Sequence, residues 1–142
     1  MPWITGMVQL GTRGLGSGGA WQMEDARRWG SQLVTMRNIR RDGIAAALSL
    51  IPNGAQLLVS IDCDGMDPAV LPAVNMPTPG GLTYQDMMEL LTGATAKASI
   101  AGLALVEFVP ERDDPHCLSA LTAARLAAVT MGLMLPKVVG QV

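Results

Sequence analysis

The 142-residue chain predicts an α/β fold: three layers, with a parallel sheet of about four strands and helices on both faces. Two observations carry that expectation. Short apolar runs alternate along the chain with longer helix-like segments, the pattern of strands joined by helical crossovers. One run, "QLLVSID" at 56–62, is apolar almost throughout, as in a strand buried on both faces. The length suits one domain with a proper core, and no linker or internal repeat divides it, so 1–142 reads as a single domain.

Taken in order, "MVQLG" (7–11) reads as a strand, and a glycine-rich turn, "RGLGSGG" (13–19), follows. "WQMEDARRWG" (21–30) is a helix stopped by Gly30, and "QLVTM" (32–36) is rich in strand formers. The densest basic stretch, "RNIRRDG" (37–43), reads as the solvated end of an element, with a helix over "DGIAAALSLI" (42–51). After the 56–62 strand comes a Pro/Gly loop over 65–82. Thr83, three residues before Asp86, predicts a capping box that starts the helix "YQDMMELLTGATAK" (84–97). "IAGLALVEFV" (100–109) is the last strand, and the apolar segment 118–135 after Pro115 is the last helix. Arg125 near its middle and its Ala/Thr content argue for a helix packed on a sheet, not a membrane span.

A formal charge of −2 without a Lys/Arg cluster gives no footprint for nucleic acid. With 49% hydrophobic and only 15% charged residues, more surface than usual must be covered, which predicts a homo-oligomer. Cys63 and Cys117 fit no metal or redox spacing, so a reducing, cytoplasmic setting is expected. The first residues lack the basic start and continuous apolar core of a signal peptide.

Three of twelve acidic residues, Asp62, Asp64 and Asp67, fall within six positions at the end of the 56–62 run. Sites in open parallel sheets lie beyond the carboxyl ends of the strands, where Asp62, Asp64 and Glu107 all fall. Two carboxylates at i and i+2 of a strand point the same way and repel, so a hard divalent cation such as Mg or Mn suits them. Asp67 precedes Pro68 and reads as a turn former, and Cys63, on the opposite face, as packing. Asp-x-Asp alone is weak evidence: it recurs in phosphatases and sugar transferases, and it also serves as a loop or N-cap pair. "LLVSIDCDG" resembles the nucleophile motif of haloacid dehalogenase-type phosphatases. Against that, Met66 stands where Thr or Val is usual, and Lys97 lies on the helix ahead of the last strand.

The continuation is more specific. "SIDCDGMDPAVLPAVNMPTPGGLTY" resembles a signature of the ureohydrolases, the arginase/agmatinase family. Ser60, Asp62, Asp64, Asp67–Pro68, Pro72, Pro77 and Pro79–Thr83 match its Ser-x-Asp-x-Asp-x-x-Asp-Pro and Pro-Gly-Gly-Leu-Thr pattern. "VQLGTRG" looks like that family's strand-plus-Arg-Gly segment, and "IAGLALVEFVPERDD" like its last strand, most similar to agmatinase-type members. The resemblance implies half of an arginase-like fold. It also implies two Mn ions sharing a hydroxide that attacks a guanidinium carbon and releases urea. By the same resemblance Asp62 and Asp64 are metal ligands and Glu107 holds the guanidinium of a small guanidino substrate. The family's Gly-Gly-Asp-His and Asp-Ala-His-x-Asp ligand motifs do not occur, and "AVNM" (73–76) replaces the commoner Gly-Thr-Gly-Thr. The only histidine, His116, reads as solvated or capping. The expectation is a C-terminal half, inactive alone, that needs a partner chain for the missing ligands or persists as a non-catalytic, oligomerising remnant.

Overall fold

The computed structural model describes residues 3–14 and 18–135, so the middle of the expected glycine-rich turn, residues 15–17, lies outside the described residues. The element order is β1 (Val8–Thr12), α1 (Ala20–Trp29), β2 (Gln32–Thr35), α2 (Met36–Asp42), α3 (Ile44–Ser49), β3 (Gln56–Asp62), α4 (Tyr84–Thr95), β4 (Ser99–Val106) and α5 (Leu118–Met134). Short 3-10 turns occupy Cys63–Gly65, directly after β3, and Pro110–Arg112.

Among the described residues all strand pairing is parallel, as expected of an α/β chain. The four strands form two ladders, β1 with β2 and β3 with β4, instead of one continuous set of bonds. Between them the contact is made by side chains: Leu82 packs over Gly11 of β1, where a Cβ would stand 3.2 Å from Leu82 Cδ1. Gly11 also has a positive φ of 87° at the irregularity in the β1–β2 register. In the second ladder Asp62 pairs with Val106, so both strands end at the same level.

Helix boundaries follow local chemistry. Gly30 ends α1 in the left-handed conformation, φ 98°, and its N–H bonds to the Ala26 and Arg27 carbonyls. Thr83 starts α4 as expected: its hydroxyl accepts from Asp86 N at 3.1 Å, and the Asp86 carboxylate accepts from Thr83 N at 2.8 Å. At α5, Asp113 accepts from Ser119 N and Ala120 N at 3.0 and 2.9 Å, and Asp114 accepts from Leu118 N at 3.2 Å. These acidic groups satisfy N–H donors that the first helical turn leaves open.

Two expectations need correction. The basic stretch 37–43 has its arginines solvated as expected but is more than the end of an element, because residues 36–42 form a helix of their own, α2. Thr35 and Asn38 make a reciprocal cap there, and Gly43 at φ 81° separates α2 from α3. The 56–62 strand is not buried on both faces: Gln56, Leu58, Ser60 and Asp62 are exposed, while Ile61 is buried. Helices α4 and α5 pack on each other and both touch β4, so they cover the same side, and Leu58 points away from it with 66% of its area in solvent.

The core gathers Ile61, Met66, Leu71, Leu82, Leu91 and Leu126 into one cluster. Each large apolar side chain buried there is worth roughly 1.5–3 kcal/mol in transfer from water. Buried polar groups inside it are paired: Ser119 Oγ accepts from Ala73 N at 3.0 Å, and Thr122 Oγ1 donates to the Val70 carbonyl at 3.0 Å. Those bonds dock the Pro-rich loop onto α5. Among the described residues no helix is long and apolar enough to cross a membrane.

Candidate functional site

The carboxyl ends of β3 and β4 bring the candidate residues together. Asp62 closes β3, and Asp64 lies two residues on, in the 3-10 turn. Its turn position replaces the simple picture of two neighbours on one strand face, but the two carboxyls still meet. Glu107 follows Val106, the pairing partner of Asp62, so it stands at the same end of the ladder.

Electrostatics record the crowding. The Asp62 carboxyl is pushed up to about 6, first by partial burial, then by a hydrogen bond with Asp64 and the charges of Asp64 and Glu107. Asp62 is solvent-exposed as a residue, so burial here means desolvation of the carboxyl by the groups packed beside it. Carboxylates held this close disfavour joint ionisation, and a cation would relieve that cost. Glu107 has φ 61°, a left-handed conformation that strains any residue with a Cβ. Strained non-glycine backbone of this kind collects at functional sites.

The other expected residues separate cleanly. Cys63 has no exposed area, and burial, followed by the charges of Asp62, Asp64 and Glu107, raises its thiol to about 11. It is packing, as expected, and inert as a nucleophile. His116 and Cys117 are exposed at the approach to α5, and the His116 N–H bonds to Asp114 at 2.7 Å. Among the described residues, no group of three or more His, Cys, Asp or Glu is placed to hold a metal ion.

Asp67 forms the expected turn and does more. Its Oδ1 accepts from Ala69 N at 2.9 Å, while Oδ2 accepts from Gly80 N and Gly81 N at 2.8 and 3.1 Å. Backbone donors hold its carboxyl below the ordinary range, Ala69 first, then Gly80 and Gly81, with the Arg13 charge adding to them. The loop 78–82 is thus stapled to the turn that carries Asp64. Main-chain bonds reinforce the staple, Asp67 N to Leu82 O at 2.9 Å and Leu82 N to Gly65 O at 3.1 Å. Gly81 is obligatory in that contact, since a Cβ would lie 2.4 Å from the Met66 carbonyl carbon.

The sequence assigns Arg13 no role of its own, although the "VQLGTRG" segment contains it. Its guanidinium donates to the carbonyls of Asp64 and Met66, both at 2.9 Å, and Gly65 at 3.1 Å. It also donates to Thr78 O, at 3.1 Å from Nε. An arginine directly after a strand and before a glycine was the available signal, but nothing local reveals partners some fifty residues away.

The fold and site define an α/β domain whose parallel strands carry acidic side chains at their carboxyl ends, where sites of this fold class lie. Comparison with known proteins makes the assignment specific. The arginase family model matches residues 3–132. An N(1)-aminopropylagmatine ureohydrolase from Thermus thermophilus is 30% identical over 89% of this chain. Arginase 1, mitochondrial, of Arabidopsis thaliana is 31% identical over 84%. Among solved structures, the agmatine ureohydrolase of Thermoplasma volcanium superposes with TM-score 0.75 at 28% identity, covering 90% of this chain and 42% of that one. Proclavaminate amidino hydrolase from Streptomyces clavuligerus gives 0.78 at 27%, covering 90% and 42%. The chain belongs to the arginase family. It spans 41% of the length of the Thermus relative and 34% of the Arabidopsis one.

Proposed function

We propose that this chain supplies one carboxylate pair, Asp62 and Asp64, to a binuclear manganese site of a ureohydrolase, with Glu107 receiving the guanidinium of a small guanidino compound. The single observation behind this reading is the convergence of Asp62, Asp64 and Glu107 at the common end of β3 and β4, with Asp62 held up to about 6. Carboxylate oxygens fit a hard divalent cation, and a cation there would offset the repulsion between the two groups. When bound, manganese supplies a nucleophile at neutral pH and polarises the bond under attack. The chain's own part is narrower: Asp62 and Asp64 present oxygen ligands, and Glu107 orients a planar cation through charge-assisted hydrogen bonds. Relatives named arginase, aminopropylagmatine ureohydrolase and agmatine ureohydrolase support a guanidino substrate class.

Two carboxylates cannot close a two-metal site, so further ligands must come from polypeptide outside this sequence. The isolated chain should therefore release no urea from agmatine or arginine with Mn(II) present. Turnover that disappears in Asp64→Ala would overturn that expectation. In parallel, covalent capture of Asp62 by a phosphoryl-fluoride analogue, read by mass spectrometry, would favour a phosphatase instead.

A further inference from the structure

We propose that Arg13 is a positioning residue for the carboxylate pair, fixing the turn that carries Asp64 so that its carboxyl faces Asp62; the inference deepens the metal-ligand reading and rests on it for its functional meaning. Asp64 is not held by a strand. It sits in the 3-10 turn Cys63–Gly65, which is closed by the bond from Met66 N to Cys63 O at 3.2 Å. A three-residue turn with one bond is a weak device for aiming a side chain. Arg13 compensates from outside. Its fork reaches three consecutive carbonyls in and just after the turn, Asp64, Gly65 and Met66, and two from the opposing loop, Thr78 and Pro79.

The fork geometry matters as much as the charge. A guanidinium presents five N–H donors in one plane, whereas a lysine ammonium is a point charge with three. Carbonyl dipoles converging on the edges of that plane would repel one another without the cation. Arg13 therefore keeps the two walls, 64–66 and 78–79, at a fixed separation. The Asp67 carboxylate does the complementary job from the next residues along, accepting from Ala69 N on its own side and from Gly80 N and Gly81 N on the other. One cation gathers carbonyls and one anion gathers amides across a single seam, with the Met66–Leu82 bridge between them. The immediate sequence neighbour of that seam is the candidate ligand Asp64.

The test uses the full chain and two variants, Arg13→Met and Arg13→Lys, followed by amide hydrogen exchange and by NMR line broadening with Mn(II) alone. In both variants the amides of Met66, Asp67, Gly80, Gly81 and Leu82 should exchange at least ~10-fold faster, while β3 amides 57–61 keep their protection. In the wild type Mn(II) should broaden the resonances around Asp62 and Asp64 together, and in the variants the same broadening should need several-fold more Mn(II), because the second oxygen ligand is no longer aimed. Unchanged exchange at the seam overturns the proposal, as does full restoration of protection by Lys. A rise spread evenly over the chain, or failure of both variants to fold, reduces Arg13 to a stability residue and overturns it too. Absence of Mn(II) broadening in the wild type is a separate result: it removes the metal reading, while the exchange data still decide whether Arg13 sets the turn.

Discussion

Individual residues at this site work against their ordinary preferences, and that makes their roles measurable. Glu107 holds φ 61°, where a side chain costs roughly 1–2 kcal/mol relative to glycine. Glu107→Ala removes the charge and keeps the strain, while Glu107→Gly removes both. The glycine variant should be the more stable of the two by about 1 kcal/mol in urea denaturation, reversing the usual Ala-over-Gly order. An alanine variant equal to or more stable than the glycine one would show that the backbone there is unstrained. Asp67 offers a pH test. Its folded carboxyl lies below the ordinary value of 3.8, so the ionised form adds stability that is fully present above that value. The stabilisation is lost as the pH falls through the depressed folded value. Asp67→Asn should be less stable than wild type near neutrality, and the gap should narrow on acidification. A gap constant with pH would mean that shape, not charge, makes the staple. Both residues were visible in the sequence, but only in part. The Asp-Pro pair announced Asp67's turn, whereas its two bonds to Gly80 and Gly81 span a loop whose path no local rule gives. Glu107's position at a strand end was legible; its left-handed backbone was not, because strain of that kind is imposed by packing and not by propensity.

At the level of elements, the seam between the 63–67 turn and the 78–82 loop decides where the carboxylates stand. Gly81 has no room for a methyl group, and its nearest neighbours are backbone atoms of Met66 and Asp67 that cannot swing away. Gly81→Ala should cost about 1–3 kcal/mol, as overpacking does in a fixed environment. Gly132, inside α5 with open space where a methyl group would stand, is the natural control. Gly132→Ala should stabilise by up to ~1 kcal/mol through helix propensity. Equal effects at the two positions in thermal unfolding would show that the seam yields easily. The strands, the capping box at Thr83 and the stop at Gly30 were legible because each depends on a few neighbouring residues. Helix α2 escaped the sequence reading for the converse reason. Its charges suggested a solvated end, yet Arg40 is recruited by α4, bonding Asp86 at 2.9 Å and the Gly81 carbonyl at 3.1 Å. A side chain held by a partner forty-six positions away looks like surface until the chain folds.

Considered as a whole molecule, the chain buries a core on one side of the β3–β4 ladder and leaves apolar surface elsewhere. Leu58 on β3 is 66% exposed, and on α5 Leu121 and Met131 are 51% and 58% exposed. Composition pointed the same way before any fold was known, since 15% charged residues are few for covering a surface in water. The sequence did not say where the uncovered area would lie, because the run at 56–62 reads as buried on both faces and has no alternation to mark an open one. The structure corrects that reading: one face is open, and it consists of Gln56, Leu58, Ser60 and Asp62. A strand face that is part apolar and ends in a candidate ligand is the surface that further polypeptide would cover, whether a second copy or a different chain. For this sequence on its own, the expected outcome is self-association, most simply as a two-fold dimer. Light scattering at micromolar concentration should give at least twice the monomer mass. Leu58→Lys should shift the balance toward monomer if β3 is the contact, and Leu121→Lys should do so if α5 is. A monodisperse monomer of wild-type chain would mean that this exposed apolar area is tolerated in water, and the case for assembly drawn from composition would fall with it.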